Sequence, residues 1–169
     1  MPKGNRLLKT KATGGAAKAK SDYDKILNTM YTALGRGVTT DRQLNRIGKK
    51  LFGRRWLGVY PVDVKPKTIM RKMNPGANYG IINVDGSGLP GSHWLSVCYD
   101  TKKDKWLIYD SFARKSTKLI PTFIKTIGYK YHDINTGADQ PDHESSCGAR
   151  SMAMLIHIAK HGSKSAANV

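Results

Sequence analysis

The stretch from Cys147 to His161 does most to limit what this chain can become. Met152, Ala153, Met154, Leu155, Ile156, Ile158 and Ala159 wrap almost the whole circumference of a helix there, and a helix that is apolar on every side has to be buried. Ser145 or Ser146 can cap its start, Gly162 stands where it stops, and Lys160 and His161 suit the negative end of its dipole. That is the pattern of a helix buried against a sheet, with the strands coming from the residues upstream. The expected class is therefore α+β, with a central, mostly antiparallel sheet packed on a buried helix that begins at Cys147.

The middle of the chain supplies the strands. Tyr79 to Val84 is the first segment with strand character; His93 to Tyr99 and Lys105 to Asp110 follow, rich in aromatic and β-branched residues and separated by the polar turn Asp100 to Asp104. Pro121 opens a short helix bearing Phe123, Ile124 and Ile127, Gly128 ends it, and Tyr129 to Ile134 predicts another strand. Two amphipathic helices come earlier. One starts at Ser21, with Ser21 and Asp24 as a capping pair, and places Tyr23, Ile26, Leu27, Met30, Tyr31 and Leu34 at helical spacing before Gly35 and Gly37. The other is capped by Thr40 with Gln43, carries Leu44, Ile47 and Leu51 on one face and basic residues on the opposite one, and stops at Gly53. Residues 1 to 20 hold Lys3, Arg6, Lys9, Lys11, Lys18 and Lys20 and no acidic residue, which predicts a disordered basic arm. Residues 21 to 169 then form a single domain, a length suited to one sizeable core.

Chemistry enters at the hairpin. A turn centred on Thr101 and Lys102 sets His93 opposite Asp110, and directly opposed side chains have Cβ atoms about 4.5–5.5 Å apart, within reach of an imidazole–carboxylate hydrogen bond. Turn composition alone does not exclude a register slip of a residue or two. A histidine held by a carboxylate is a base with its tautomer fixed, and it lacks only a nucleophile. Cys147 stands in the first turn of the buried helix, where unpaired amides and the positive dipole end favour thiolate. Gly148 leaves room for a substrate backbone, the Cys147 amide can meet a developing oxyanion, and a nearby side-chain donor such as Gln140 can complete the hole. Each such donor is worth roughly 2.7–4 kcal/mol of barrier.

Taken together, Gly91-Ser-His-Trp-Leu-Ser-Val97, Trp106-Leu-Ile-Tyr-Asp-Ser-Phe112, and Gln140 followed seven positions later by Cys147-Gly148 resemble the adenovirus protease family and its SUMO-protease relatives. Upstream, Leu57-Gly-Val-Tyr60 and Tyr79-Gly-Ile-Ile-Asn83 look like the segments leading to the catalytic histidine in viral members, so the resemblance spans roughly residues 38 to 162. It implies a papain-like, adenain-like cysteine protease fold, with His93 as general base, Asp110 as its orienter, Cys147 as nucleophile and Gln140 as oxyanion-hole donor. Trp94 and Gly148 would then line the narrow substrate path that in this family admits glycine near the scissile bond. The likeness is nearest to maturation proteases of virophages and related DNA viruses. Two departures stand out: the acidic residue is Asp, as in SUMO proteases, where adenovirus proteases carry Glu; and Cys98 lies within the hairpin, so it has no counterpart to the adenoviral disulfide with an activating peptide.

The formal charge of +17, from 29 Lys and Arg against 12 Asp and Glu, points to a polyanionic partner. Arg42, Arg46, Lys49, Lys50, Arg54, Arg55, Lys65, Lys67, Arg71 and Lys72 are opposed within their stretch by Asp63, and with the arm they suggest sequence-independent DNA contact, with DNA as the one candidate activator. No metal or other cofactor is expected. Two cysteines make neither a disulfide framework nor a zinc site, and His132, His143, His157 and His161 lack ligand spacing, though His143 and Glu144 fall close before Cys147. Gly86, Gly88 and Gly91 spell a dinucleotide-binding pattern, but a strand follows where that motif needs a helix. Thr13-Gly14-Gly15-Ala16 looks like a small-residue cleavage site, which would let the enzyme trim its arm after Gly15.

These readings converge on a monomeric viral maturation endopeptidase cutting capsid or core precursors at Gly-rich sites. No apolar run has membrane-spanning length, so its expected place is the virion and the infected cell, in cytoplasm or nucleus. The alternatives are a SUMO- or ubiquitin-like deconjugase, an acyltransferase with the same His-acid-Cys order, and a non-enzymatic DNA-condensing virion protein.

Overall fold

Five strands make one sheet in the order β1-β2-β3-β4-β5: β1 Trp56–Pro61, β2 Ala77–Asn83, β3 Trp94–Asp100, β4 Lys105–Tyr109 and β5 Tyr131–Asp133. The helices are α1 Arg6–Leu34, α2 Asp41–Phe52, α3 Pro66–Met70, α4 Ser116–Leu119, α5 Pro121–Thr126, α6 Cys147–His161 and α7 Ser163–Ala166. This computed structural model describes residues 6–89, 92–134 and 137–169, with side chains from residue 14 onward. The α+β class is as expected, but the sheet is mixed rather than mostly antiparallel: β2–β3 and β3–β4 run antiparallel, whereas β1–β2 and β4–β5 are parallel.

Period-two alternation divides the core between the two sheet faces. Tyr79, Ile81, Trp94, Cys98 and Tyr109 turn toward α1, α2 and α6. Ile82, Leu95, Val97, Trp106 and Ile108 turn the other way, onto Ile69, Ile120, Phe123 and Ile124. Each fully buried side chain of this size is worth roughly 1.5–3 kcal/mol. Helix α6 lies between the sheet and α1, which explains its apolar circumference. Two serines lock it to β3: Ser96 Oγ donates to Ser151 O at 2.7 Å, and Ser151 Oγ donates to Trp94 O at 2.9 Å.

The α2 start is a full capping box, with Gln43 N donating to Thr40 Oγ1 at 3.2 Å and Thr40 N donating to Gln43 Oε1 at 2.8 Å. This helix rides directly on the Trp56 indole, since a Cβ at Gly48 would fall 2.2 Å from Trp56 Cε2. Helix α1 starts at Arg6 rather than Ser21, so the segment assigned to a disordered arm is helical from that residue, while residues 1–5 lie outside the described residues. Packing of Tyr23, Leu27 and Met30 in the core anchors the C-terminal half of the helix.

The hairpin register also differs from expectation. Ser96 pairs with Tyr109, Val97 with Ile108 and Cys98 with Leu107, two positions away from the register that would set His93 against Asp110. The connection is the longer Thr101–Asp104 turn, closed by Asp104 at φ 49°. A two-residue slip preserves the side each residue faces, so His93 and Asp110 become diagonal instead of direct neighbours.

Candidate active site

His93 immediately precedes β3, Asp110 immediately follows β4, and Cys147 opens α6. The site therefore sits where two strand ends meet a helix N-terminus. His93 Nε2 is hydrogen-bonded to Asp110 Oδ1. Cys147 lies near enough to the imidazole to raise its pKa, and with Nε2 committed to Asp110 the nitrogen left for the thiol is Nδ1. The diagonal placement is within reach of side chains of this length.

The Asp110 carboxylate is held by its own turn. Ala113 N donates to Asp110 O at 2.9 Å, and Phe112 N donates to Oδ1 at 3.3 Å, an Asx-turn for which Asp at the first position is a common choice. Arg114 adds two donors to Oδ2, its backbone N at 3.0 Å and Nε at 2.9 Å. Burial alone would raise this carboxyl, but the hydrogen bonds from His93 and Arg114 outweigh it and lower it to about 2. Burial likewise opposes the His93 imidazolium, yet Asp110 first and Cys147 second raise its pKa above the ordinary value. Phe112 packs against the imidazole with ring centroids 5.2 Å apart, and Arg114 lies over the Phe112 ring at 5.0 Å.

Cys147 has no side-chain cap above it, because Ser146 is engaged elsewhere, so the first-turn amides are free of a capping oxygen. The second cysteine is unlike it. Burial pushes the Cys98 thiol up to about 12, with Asp100 adding to the effect, so Cys98 remains a protonated core residue. Gly148 is tightly approached: a Cβ there would lie 1.8 Å from Thr39 Oγ1 and 3.2 Å from Trp94 Cδ1. The space foreseen for a substrate backbone is taken by the Thr39 side chain, which is 2 % exposed and whose hydroxyl has no hydrogen-bond partner among the described residues.

Gln140 is buried, lines the same cavity as Cys147 and is fixed at both ends of its amide. Oε1 accepts from Ser111 Oγ at 2.6 Å, and Nε2 donates to Glu144 O at 2.6 Å, which leaves the second N–H of that nitrogen for a ligand. Its neighbour Asp139 anchors the loop. Tyr23 OH and Arg150 Nη1 donate to Asp139 Oδ2 at 2.7 and 3.1 Å, and Tyr109 OH donates to Oδ1 at 2.5 Å. Burial first, and Asp139 second for Tyr23, raise both phenols well above their ordinary value, so both stay protonated donors. Arg150 also reaches Ser146 Oγ at 3.0 Å and Glu144 Oε2 at 3.2 Å. The Gln140–Cys147 loop is thus clamped between α1, β4 and α6.

A cavity of about 160 Å³ opens at Cys147, bounded by Trp94, Phe112, Gln140 and Glu144 together with Val38 and Thr39. It adjoins a second cavity of about 560 Å³ that shares Val38, Thr39 and Trp94 and extends past Tyr60 and the Gly86–Leu89 loop. Glu144 therefore lines the cleft, whereas His143 is exposed beside it. All six residues singled out from the sequence lie in this neighbourhood. Arg114, Ser111, Asp139, Arg150, Tyr23 and Thr39 were not foreseen. Ser111 falls within the Asp-Ser-Phe segment; Arg114 reaches Asp110 through the positive φ of Ala113, and the others meet the site through tertiary contacts that no local pattern announces.

No family model matches the chain. A protein of Acanthamoeba polyphaga mimivirus named "Putative thiol protease" is 28% identical over 123 residues, a match that covers 62% of this chain and 40% of that protein. The chain thus corresponds to less than half of that relative's length. This distant similarity supports a cysteine protease of viral type.

Proposed function

We propose that this chain is a cysteine endopeptidase with which a DNA virus matures its particle, cutting capsid or core precursors at small, Gly-rich sites. The observation that carries the reading is the hydrogen-bonded His93–Asp110 pair beside Cys147, which together with Gln140 lines one cavity of about 160 Å³. So narrow a space beside the nucleophile suits residues with little or no side chain.

In the proposed reaction His93 takes the Cys147 proton through Nδ1, and the thiolate adds to the scissile carbonyl carbon. The Cys147 amide and the free N–H of Gln140 stabilise the oxyanion. The tetrahedral adduct collapses as the His93 imidazolium protonates the leaving amine, which departs and leaves a thioester. Neutral His93 then removes a proton from water, hydroxide adds to the thioester, and the acid is released as the thiolate recovers. Asp110 holds Nε2–H throughout and Arg114 holds Asp110. Trp94 forms one wall of the path; Gly148 contributes by letting Thr39 approach the helix start.

We extend the proposal to work on a DNA-filled particle, with duplex DNA bound without sequence preference by the basic surface. Self-trimming after Gly15 requires α1 to unwind locally, because Gly14 and Gly15 lie within it and a protease cleft takes an extended chain.

The test is to produce particles carrying Cys147→Ala and examine their structural proteins by mass spectrometry. Uncut precursors are expected, and processing identical to that of the parent would overturn the proposal.

A further inference from the structure

A third cavity, of about 760 Å³, runs between α2 and the outer strand β1. Its floor is Leu57–Tyr60 and its walls carry Arg42, Arg46 and Lys49 from α2 and Lys72 from the other side. None of these four cations has an ion-pair partner among the described residues. Lys72 instead donates to Tyr60 OH at 2.7 Å, with its ammonium 5.2 Å from that ring. Asp41 is the one carboxylate on the lining, and it stands where this groove joins the 560 Å³ cavity through the shared Asp41, Val59 and Tyr60. That cavity in turn joins the Cys147 cavity through Val38, Thr39 and Trp94. One path therefore leads from four unpaired cations to the nucleophile.

Building on the protease reading, we propose that this groove selects substrates with acidic residues to one side of the scissile bond, so that the cleft takes the small residues and the groove takes the carboxylates. The ligand class follows from charge: four cations that nothing in the described chain neutralises need an anion. A peptide fits better than nucleic acid for two reasons. The groove is continuous with the cleft that receives the scissile bond, and its floor is an edge strand, β1 being first in the sheet order. An edge offers unpaired main-chain groups to an extended polypeptide, and phosphates have no use for them. The basic stretch that suggested DNA in the sequence is thereby divided: the residues facing this groove serve the substrate, and α1 and the remaining surface are left for DNA.

The experiment uses two peptides with one Gly-rich cleavage site, the first flanked by Asp and Glu upstream or downstream, the second by Gln and Ser at the same positions. For the full chain, kcat/KM for the acidic peptide on one side is expected to exceed that of the neutral peptide about tenfold at low salt, with the ratio falling as salt rises. Arg42→Glu with Arg46→Glu, which places acidic residues in the early turns of α2 where the helix dipole tolerates them, should bring the ratio to about one or below. Anisotropy of both labelled peptides on Cys147→Ala protein reads the groove without cleavage. If both peptides bind tightly or weakly alike, or if the double variant loses duplex DNA binding but keeps the peptide ratio, the proposal fails. Selective binding of the acidic peptide without cleavage would uphold the groove and sink the protease reading instead.

Discussion

Asp110 joins two neighbours through one buried carboxylate, bonding His93 through Oδ1 and Arg114 through Oδ2. Because its bond to His93 raises the imidazole pKa, the imidazolium that the proposed reaction uses should persist to higher pH than an unsupported histidine allows. Asp110→Asn is expected to lower kcat/KM roughly 10²–10⁴-fold and to move the alkaline limb of its pH profile to lower pH, measured on a small-residue peptide. The carboxyl itself falls from 3.8 to about 2 on folding, so its contribution is present above pH 4 and disappears as pH falls toward 2. That shift corresponds to about 2 kcal/mol. The stability gap between wild type and Asp110→Asn in urea titrations should therefore close across that interval. His93, Asp110 and Cys147 were legible from residue chemistry and spacing, although the pairing is diagonal and not direct. Arg114 was not, since its role depends on Ala113 taking φ 54°, a conformation for which nothing in the local sequence asks.

Among the elements, those with explicit punctuation were readable. The Thr40 capping box and the Cys147–His161 helix stand where expected. Strand β1 escaped because Gly58, at φ 120°, and Pro61 interrupt the usual strand pattern, and its partner lies beyond an intervening helix. The hairpin slipped by two because Asp104 is a non-glycine residue with positive φ. Helix α1 matters more than its amphipathic pattern suggests. Through Tyr23 it donates to Asp139, next to Gln140, and so braces the proposed oxyanion loop. Tyr23→Phe removes one hydrogen bond to a carboxylate, which should cost about 1.5–3 kcal/mol in urea unfolding. It should lower kcat while leaving KM within about twofold, measured under conditions where the variant is fully folded. A rise in KM with unchanged kcat would show that the brace does not reach the reaction.

At the scale of the molecule, charge and connectivity act together. If the +17 surface engages DNA, affinity for a random duplex measured by anisotropy should fall roughly 10³-fold or more between 50 and 200 mM salt; a shallow slope would dismiss that partner. Helix α6, meanwhile, is fitted to a segment from the opposite half of the chain, with Thr39 Oγ1 1.8 Å from where a Gly148 Cβ would stand. Residues at these two positions should therefore change together among relatives. Gly148→Ala should abolish cleavage, and a selection for second-site suppressors should return Gly, Ala or Ser at position 39 ahead of changes elsewhere. Recombination between diverged relatives would then be productive only where a crossover carries both partners, which makes this contact a boundary on how such a protease can be rebuilt from parts.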